Sequence, residues 1–176
     1  MMDMQTILTN AVNNRRQEEL ANSPQLLLGE IILKLEAVKN KNLPLFIDIM
    51  DKRPKGIDSW RGSYRELAIQ TEELGSYQTD EVERRGNWGE EYKFKSIGKE
   101  KPTVADWIDV LKEAIGKIFV GYKGGDFIMS KNTPVWLAEY GYCNFKMDDN
   151  NYKSVYFIDV KEKKKRVYLI TKIEEE

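Results

Sequence analysis

Histidine is absent from the 176 residues, and cysteine occurs once, at Cys143. Without histidine the chain cannot build a serine–histidine triad or a His-rich zinc site, because it lacks the usual general base and the commonest transition-metal ligand. A single cysteine cannot close an intrachain disulfide, which points to a reducing compartment, the cytoplasm, and leaves Cys143 an ordinary thiol. No segment approaches the roughly 20 apolar residues of a membrane span, and "MMDMQTILTN" lacks the basic-then-apolar pattern of a secretory leader. There is also no excess of either charge: 28 basic residues face 29 acidic ones, for a net charge of −1. Broad attraction to nucleic acid is not expected from that balance, although a local basic patch is compatible with it.

What is present suits one folded domain over 1–176, since 41% of the residues are hydrophobic and 32% charged. Residues 1–22 predict a peripheral helix, with Ile7, Leu8, Ala11, Val12 and Leu20 near helical spacing around a polar "NNRRQEE". In "SPQLLLGEIILKLEAVKN", Ser23 is placed to cap, Pro24 suits the first helical position, and Leu27, Leu28, Ile31, Ile32, Leu35 and Val38 mark a buried stripe. "LPLFIDIM" alternates as a strand, with Pro44 at an edge or strand entry. "DKRPKGI" reads as a loop, and residues 59–69 as a second strand, although Trp60, Tyr64 and Leu67 would also line up on a helix.

The span 70–101 is poor in apolar residues and predicts a long loop or insertion. A second core-packed helix follows in "KPTVADWIDVLKEAIGKIF", with a Thr103–Asp106 capping box and Val104, Trp107, Leu111, Ile115 and Ile118 on one face. The chain ends in "SVYFIDVKEKKKRVYLITKIE", two alternating arms joined at a lysine-rich turn. Helices early and in the middle, with strands dominating the end, predict an α+β fold. Its sheet should be mostly antiparallel, with two core-packed helices and the peripheral N-terminal one.

No complete catalytic, metal or phosphate-loop signature occurs, so candidate binding residues come from three short stretches. In "WRGSY", Trp60 and Tyr64 fall on one strand face and Arg61 on the other. A guanidinium suits phosphate or carboxylate, and Gly62 lets a ligand approach the backbone. An ordinary strand with packed rings and a surface ion pair explains the same residues equally well. In "GYKGGDF", Gly124 and Gly125 can turn amides toward an anion beside Lys123, flanked by Tyr122 and Asp126. It is no Walker loop, and a plain Gly-Gly turn or bulge explains it at least as well. In "TPVWLAEYGY", Trp136 is a candidate stacking surface, with core packing the first expectation for it. The acidic stretches "EEY" and "MDDNN" lack the ligand pattern of a calcium loop, and no metal or cofactor is expected. "KEKKKR" reads as a solvated face.

The order W-R-G-x-Y, "PTVADWIDVLKEAIG", "GYKGGDF" and "TPVWLAEYG" resembles small accessory proteins of tailed bacteriophages and prophages. The resemblance runs from residue 57 to about 141. That group has no agreed activity, so the resemblance implies a phage origin and a shared fold. Accessory proteins of this kind act by binding, which makes a nucleotide-like small molecule or a host defence protein the expected partner, in the host cytoplasm. A homo-oligomer is compatible with this. The leading expectation is a non-enzymatic binder that counteracts host antiviral defence, with Trp60, Arg61, Gly62, Tyr64, Tyr122, Lys123, Gly124, Gly125, Asp126 and Trp136 as its contacts. A protein–protein inhibitor or virion-associated module is the alternative. An enzyme similar to NAD-using ADP-ribosyltransferases, with Glu139 as carboxylate, fits less well, because the further elements of that site are missing.

Overall fold

The computed structural model describes residues 4, 7, 22–59, 67–71, 82–85, 91–96, 102–120, 126–138, 145–148 and 151–174. Helix α1 is Leu28–Glu36. Strand β1, Leu45–Ile47, leads through a 3-10 turn at Ile49–Asp51 into β2, Pro54–Ser59. Then come β3 (Leu67–Thr71), β4 (Val82–Arg85) and β5 (Glu91–Ser96), followed by helix α2, Val104–Ala114. The rest is strand: β6 (Ile118–Val120), β7 (Asp126–Ile128), β8 (Val135–Ala138), β9 (Phe145–Asp148), β10 (Asn151–Lys153), β11 (Val155–Lys163) and β12 (Arg166–Ile173).

The fold is α+β, and its main sheet is mixed. Eight strands run in the order β1-β12-β11-β8-β3-β2-β5-β4, while β6-β7 and β9-β10 form two-stranded ribbons. Antiparallel joints predominate, as expected, but β1 lies parallel to β12 and β3 parallel to β8. Both parallel joints bring together segments distant in sequence. β1 also lies against β2, where the Ile47 amide donates to the Lys52 carbonyl at 2.7 Å, so the sheet curls at that edge.

One sheet face and both helices enclose the core. Leu45, Ile47, Val167, Leu169, Val155, Phe157, Val135, Leu137, Leu67 and Ile69 are fully or almost fully buried, and they meet Leu28, Ile31 and Leu35 of α1 and Val104, Trp107 and Leu111 of α2. An ion pair between Lys112 and Glu36 links the two helices. Lys34 of α1 reaches Asp159 of β11 at 3.1 Å. The Asp159 carboxyl is held below its usual range, first by the Val160 amide it accepts from and then by Lys34.

Several local expectations are corrected. Helix α1 begins at Leu28, four residues later than a Pro24 start. Residues 24–27 are not helical, Leu27 is extended, and the Leu26 amide donates to the Phe157 carbonyl at 2.7 Å. The first helical amides, of Leu28 and Gly29, donate to the carbonyls of Thr133 and Lys131, both at 2.8 Å, so tertiary contacts replace a Ser23 cap. That approach requires glycine at 29, where a Cβ would stand 2.9 Å from the Lys131 Cβ and 3.0 Å from its carbonyl oxygen.

Helix α2 opens as predicted, with the Thr103 amide donating to Asp106 Oδ2 at 2.8 Å and the Asp106 amide to Thr103 Oγ1 at 3.3 Å. It stops at Ala114, because Ile115 is extended and Gly116 takes φ +82 while its amide reaches the Met129 carbonyl. Ile115 and Ile118 therefore leave the helical face and are exposed. The span 70–101, expected as a long loop or insertion, holds the end of β3 and the β4–β5 hairpin. "DKRPKGI" is loop only to Arg53, and a strand, not a helix, leads into "GYKGGDF". Of the predicted peripheral helix, Met4 and Ile7 are helical and exposed, and the rest of 1–22 up to residue 21 lies outside the described residues.

Candidate anion-binding site

Of the residues expected to bind a ligand, Trp60, Arg61, Gly62, Tyr64, Tyr122, Lys123, Gly124 and Gly125 lie outside the described residues, and Asp126 is described only as the first residue of β7. Their flanks are informative. Strand β2 leads directly into "WRGSY", β6 leads directly into "GYKGGDF", and these two strands lie against one another, although β6 hydrogen-bonds only with β7 among the described residues.

Trp136 is well placed. Its neighbours Val135 and Leu137 are fully buried in the core, so alternation turns the indole to the opposite sheet face. There it is half-buried and meets Tyr156 edge to face, with centroids 5.9 Å apart. Core packing was the first expectation for this residue, and the strand's pleat is what directs it away from the helices.

The same outer face carries a group of side chains that the sequence reading passed over. Phe46 in β1 is in register with Tyr168 in β12, and their ring centroids are 6.0 Å apart. The Arg166 guanidinium lies 4.3 Å from the Phe46 centroid, and that of Arg53 lies 5.3 Å from it. The Lys163 ammonium is 5.2 Å from the Tyr168 ring. Three cations thus rest on two rings, each held by the negative face of an aromatic quadrupole. Asp51 stands beside the group, its Oδ2 3.7 Å from Arg166 Nη1 with both side chains largely exposed.

Backbone strain gathers around this group. Among the described residues, the only non-glycine residues with positive φ are Met50 (+52), Asp51 (+49) and Lys164 (+34). Met50 and Asp51 turn the chain between β1 and Arg53, with the Lys52 amide donating to the Ile49 carbonyl at 3.1 Å. Lys164 turns the chain between Lys163 and Arg166. Asparagine and glycine are the usual occupants of such positions, because a Cβ in the left-handed region costs about 1 kcal/mol or more. A second local rule is broken beside the first: Lys163 faces Arg166 across the hairpin, and like charges in that register repel. Strain and repulsion both fall where they place cations on the two rings, a pattern associated with functional sites.

Part of this was open to sequence reasoning. With the hairpin turn at Lys164 and Lys165, the alternation of "KEKKKRVYL" puts Lys161 and Lys163 on one face with Arg166 and Tyr168. Phe46 and Arg53 join only through the parallel β1–β12 pairing, which no local pattern announces.

No known family model, curated protein or solved structure matches the chain. Among the described residues no group of three metal-ligating side chains occurs, and no helix is long and apolar enough to cross a membrane.

If the turn is held strained for the sake of its charge, Lys164→Gly should raise stability by about 0.5–1 kcal/mol. For a chain of this length that is a rise of roughly 2 °C in Tm. Thermal unfolding followed by circular dichroism reads it directly, and a fall in Tm would mean that Lys164 makes a stabilising contact worth more than the strain.

Proposed function

We propose that this chain is a non-enzymatic binding protein for a phosphorylated, nucleotide-like anion. The observation that carries the reading is the Phe46–Tyr168 cluster, in which Arg53, Arg166 and Lys163 are set on aromatic platforms at a strained part of the backbone. Guanidinium groups offer paired donors to phosphate, and rings beside them offer stacking to a base. The approach of β2 to β6 supports a contribution from Arg61 and Lys123, since the motifs containing them continue those two strands. In the context of its resemblance to phage accessory proteins, the chain would act in the host cytoplasm, sequestering a nucleotide-like signal of host antiviral defence.

The test begins with native mass spectrometry of protein purified from its host cells. A mass excess that disappears on denaturation is expected, together with the oligomeric state. Titration calorimetry with mononucleotides should then show binding that Arg166→Ala weakens about tenfold, equivalent to 1.4 kcal/mol. Loss through Arg61→Ala and Lys123→Ala with Arg166→Ala silent would move the site to the two glycine motifs. A clean apo mass with no calorimetric heat would overturn the reading.

One observation favours a second reading, a protein–protein inhibitor or interaction module. Ile118 and Ile128 face each other across the β6–β7 ribbon, each 63% exposed, with Ile115 close by in sequence and 40% exposed. Exposed apolar residues grouped on one ribbon suit a protein surface such as a host defence protein. A pull-down from host lysate that captures a partner with the wild type but not with Ile118→Ser would favour it.

A further inference from the structure

The near-zero net charge conceals an uneven distribution. Five of the six residues from Lys161 to Arg166 are basic against one glutamate, four positive charges net in a chain whose total is −1. These side chains are all exposed. Strand β12 is regular, so Arg166, Tyr168, Ile170 and Lys172 share the outer face. Across the hairpin Lys163 faces Arg166, Lys161 faces Tyr168, and Tyr156 faces Lys172 with Trp136 beyond it on β8. Cations and rings therefore lie along this face from Arg166 to Lys172, six residue steps or roughly 20 Å, interrupted at Ile170, whose register partner is Asp159.

We propose that this face, from the Lys163–Arg166 tip to Tyr156 and Trp136, is a track for single-stranded nucleic acid. The inference rests on the anion-binding reading above and names the ligand as a chain of phosphodiesters with unpaired bases. Lys161 and Lys163 stand two residues apart on one strand face, about 6.8 Å, so successive cations can follow a phosphate backbone. Two ring pairs, Phe46–Tyr168 and Tyr156–Trp136, lie on the same face, with Tyr168 and Trp136 the accessible members and Phe46 and Tyr156 buried beneath their neighbours. Base stacking on such rings needs bases free of a partner, which selects single strands over duplex. An anionic membrane would use the same cations, with rings able to sit at headgroup level, so vesicle binding is one of the outcomes tested below. Protection of an open edge is a third account of the lysines, because β11 beyond Tyr156 pairs only with β12 among the described residues. It explains Lys161 and Lys163 but not Arg166 on β12, nor the strain at Lys164.

The experiment is fluorescence anisotropy of a labelled oligothymidylate of about 20 nucleotides, long enough to cover site sizes typical of such faces. Contacts to three or four phosphates should weaken binding about thirtyfold between about 50 and 200 mM salt. Lys161→Ser with Lys163→Ser, both at exposed positions, should weaken it at least tenfold and flatten the salt dependence, with an unchanged circular dichroism spectrum. Tyr168→Leu should lose affinity while keeping the salt slope, a result that charge alone would not give.

Absence of oligothymidylate binding while mononucleotides still bind through Arg166 would overturn the track and leave the anion reading intact. Loss of both would remove both. Equal affinity for duplex, anisotropy indifferent to the two lysine substitutions, or binding to phosphatidylserine vesicles without oligothymidylate binding would each also overturn it.

Discussion

Replacing Trp107 with alanine is expected to remove about 3–5 kcal/mol of stability, a large part of the 5–15 kcal/mol available to a typical domain. Trp107 is fully buried on the face of α2 that meets α1 and the sheet, and it is among the largest of the fully buried side chains. Its removal takes a bicyclic ring out of the layer where both helices and the sheet converge. Collapse of the neighbours is limited, because α2 is fixed at its start by the Thr103–Asp106 capping box and by the Val104 amide on the Leu43 carbonyl at 2.9 Å. In thermal unfolding the loss should appear as a fall of roughly 10 °C or more.

The comparison with Trp107→Phe isolates a second term. The Trp107 indole N–H is buried with no hydrogen-bond partner, a situation that costs about 1–3 kcal/mol. Phenylalanine gives up part of the ring's volume but removes the unmet donor. Its net effect should stay within about 1 kcal/mol of wild type, in sharp contrast to alanine. If Trp107→Phe proved as damaging as Trp107→Ala, the indole N–H would be satisfied after all, for example by a bound water.

Elements governed by local spacing were legible before the structure. The stripe Leu28–Ile31–Ile32–Leu35, the Thr103–Asp106 cap and the Val155–Ile173 hairpin each follow from period, capping chemistry or alternation within about 20 residues. Where neighbours distant in sequence supply the hydrogen bonds, the reading failed. Ser23 lost its capping role because carbonyls more than 100 residues away, at Lys131 and Thr133, satisfy the amides at the start of α1. Strand β4, Val-Glu-Arg-Arg, lacks the apolar alternation that marks a half-buried strand, while the Tyr92–Phe94 alternation of β5 was passed over within a span poor in apolar residues. The candidate site divides in the same way. "KEKKKR" was visible as charge and read as a solvated face, while its significance depends on Phe46, which reaches it through a parallel joint between β1 and β12.

Phe46 is where fold and proposed function can be separated. Only 5% exposed, it lies on the outer face of an edge strand beneath Arg53 and Arg166. Phe46→Ala should cost about 3 kcal/mol and also abolish anion binding, so by itself it says little about the site. Phe46→Leu is the decisive substitution. Leucine retains most of the apolar burial, and the backbone bonds around β1 do not depend on the ring: Leu45 N–H to the Pro102 carbonyl, Ile47 N–H to the Lys52 carbonyl, and Asp48 N–H to the Leu169 carbonyl. Its stability cost should remain below about 1.5 kcal/mol. What leucine cannot supply is the quadrupole that holds two guanidinium groups, worth about 0.5–2 kcal/mol. Anion affinity measured by titration calorimetry should therefore fall by roughly tenfold, with the fold intact by circular dichroism. If Phe46→Leu binds as wild type does, the cation–ring contacts are packing of arginine stems over an edge strand, and the anion site belongs elsewhere on the molecule.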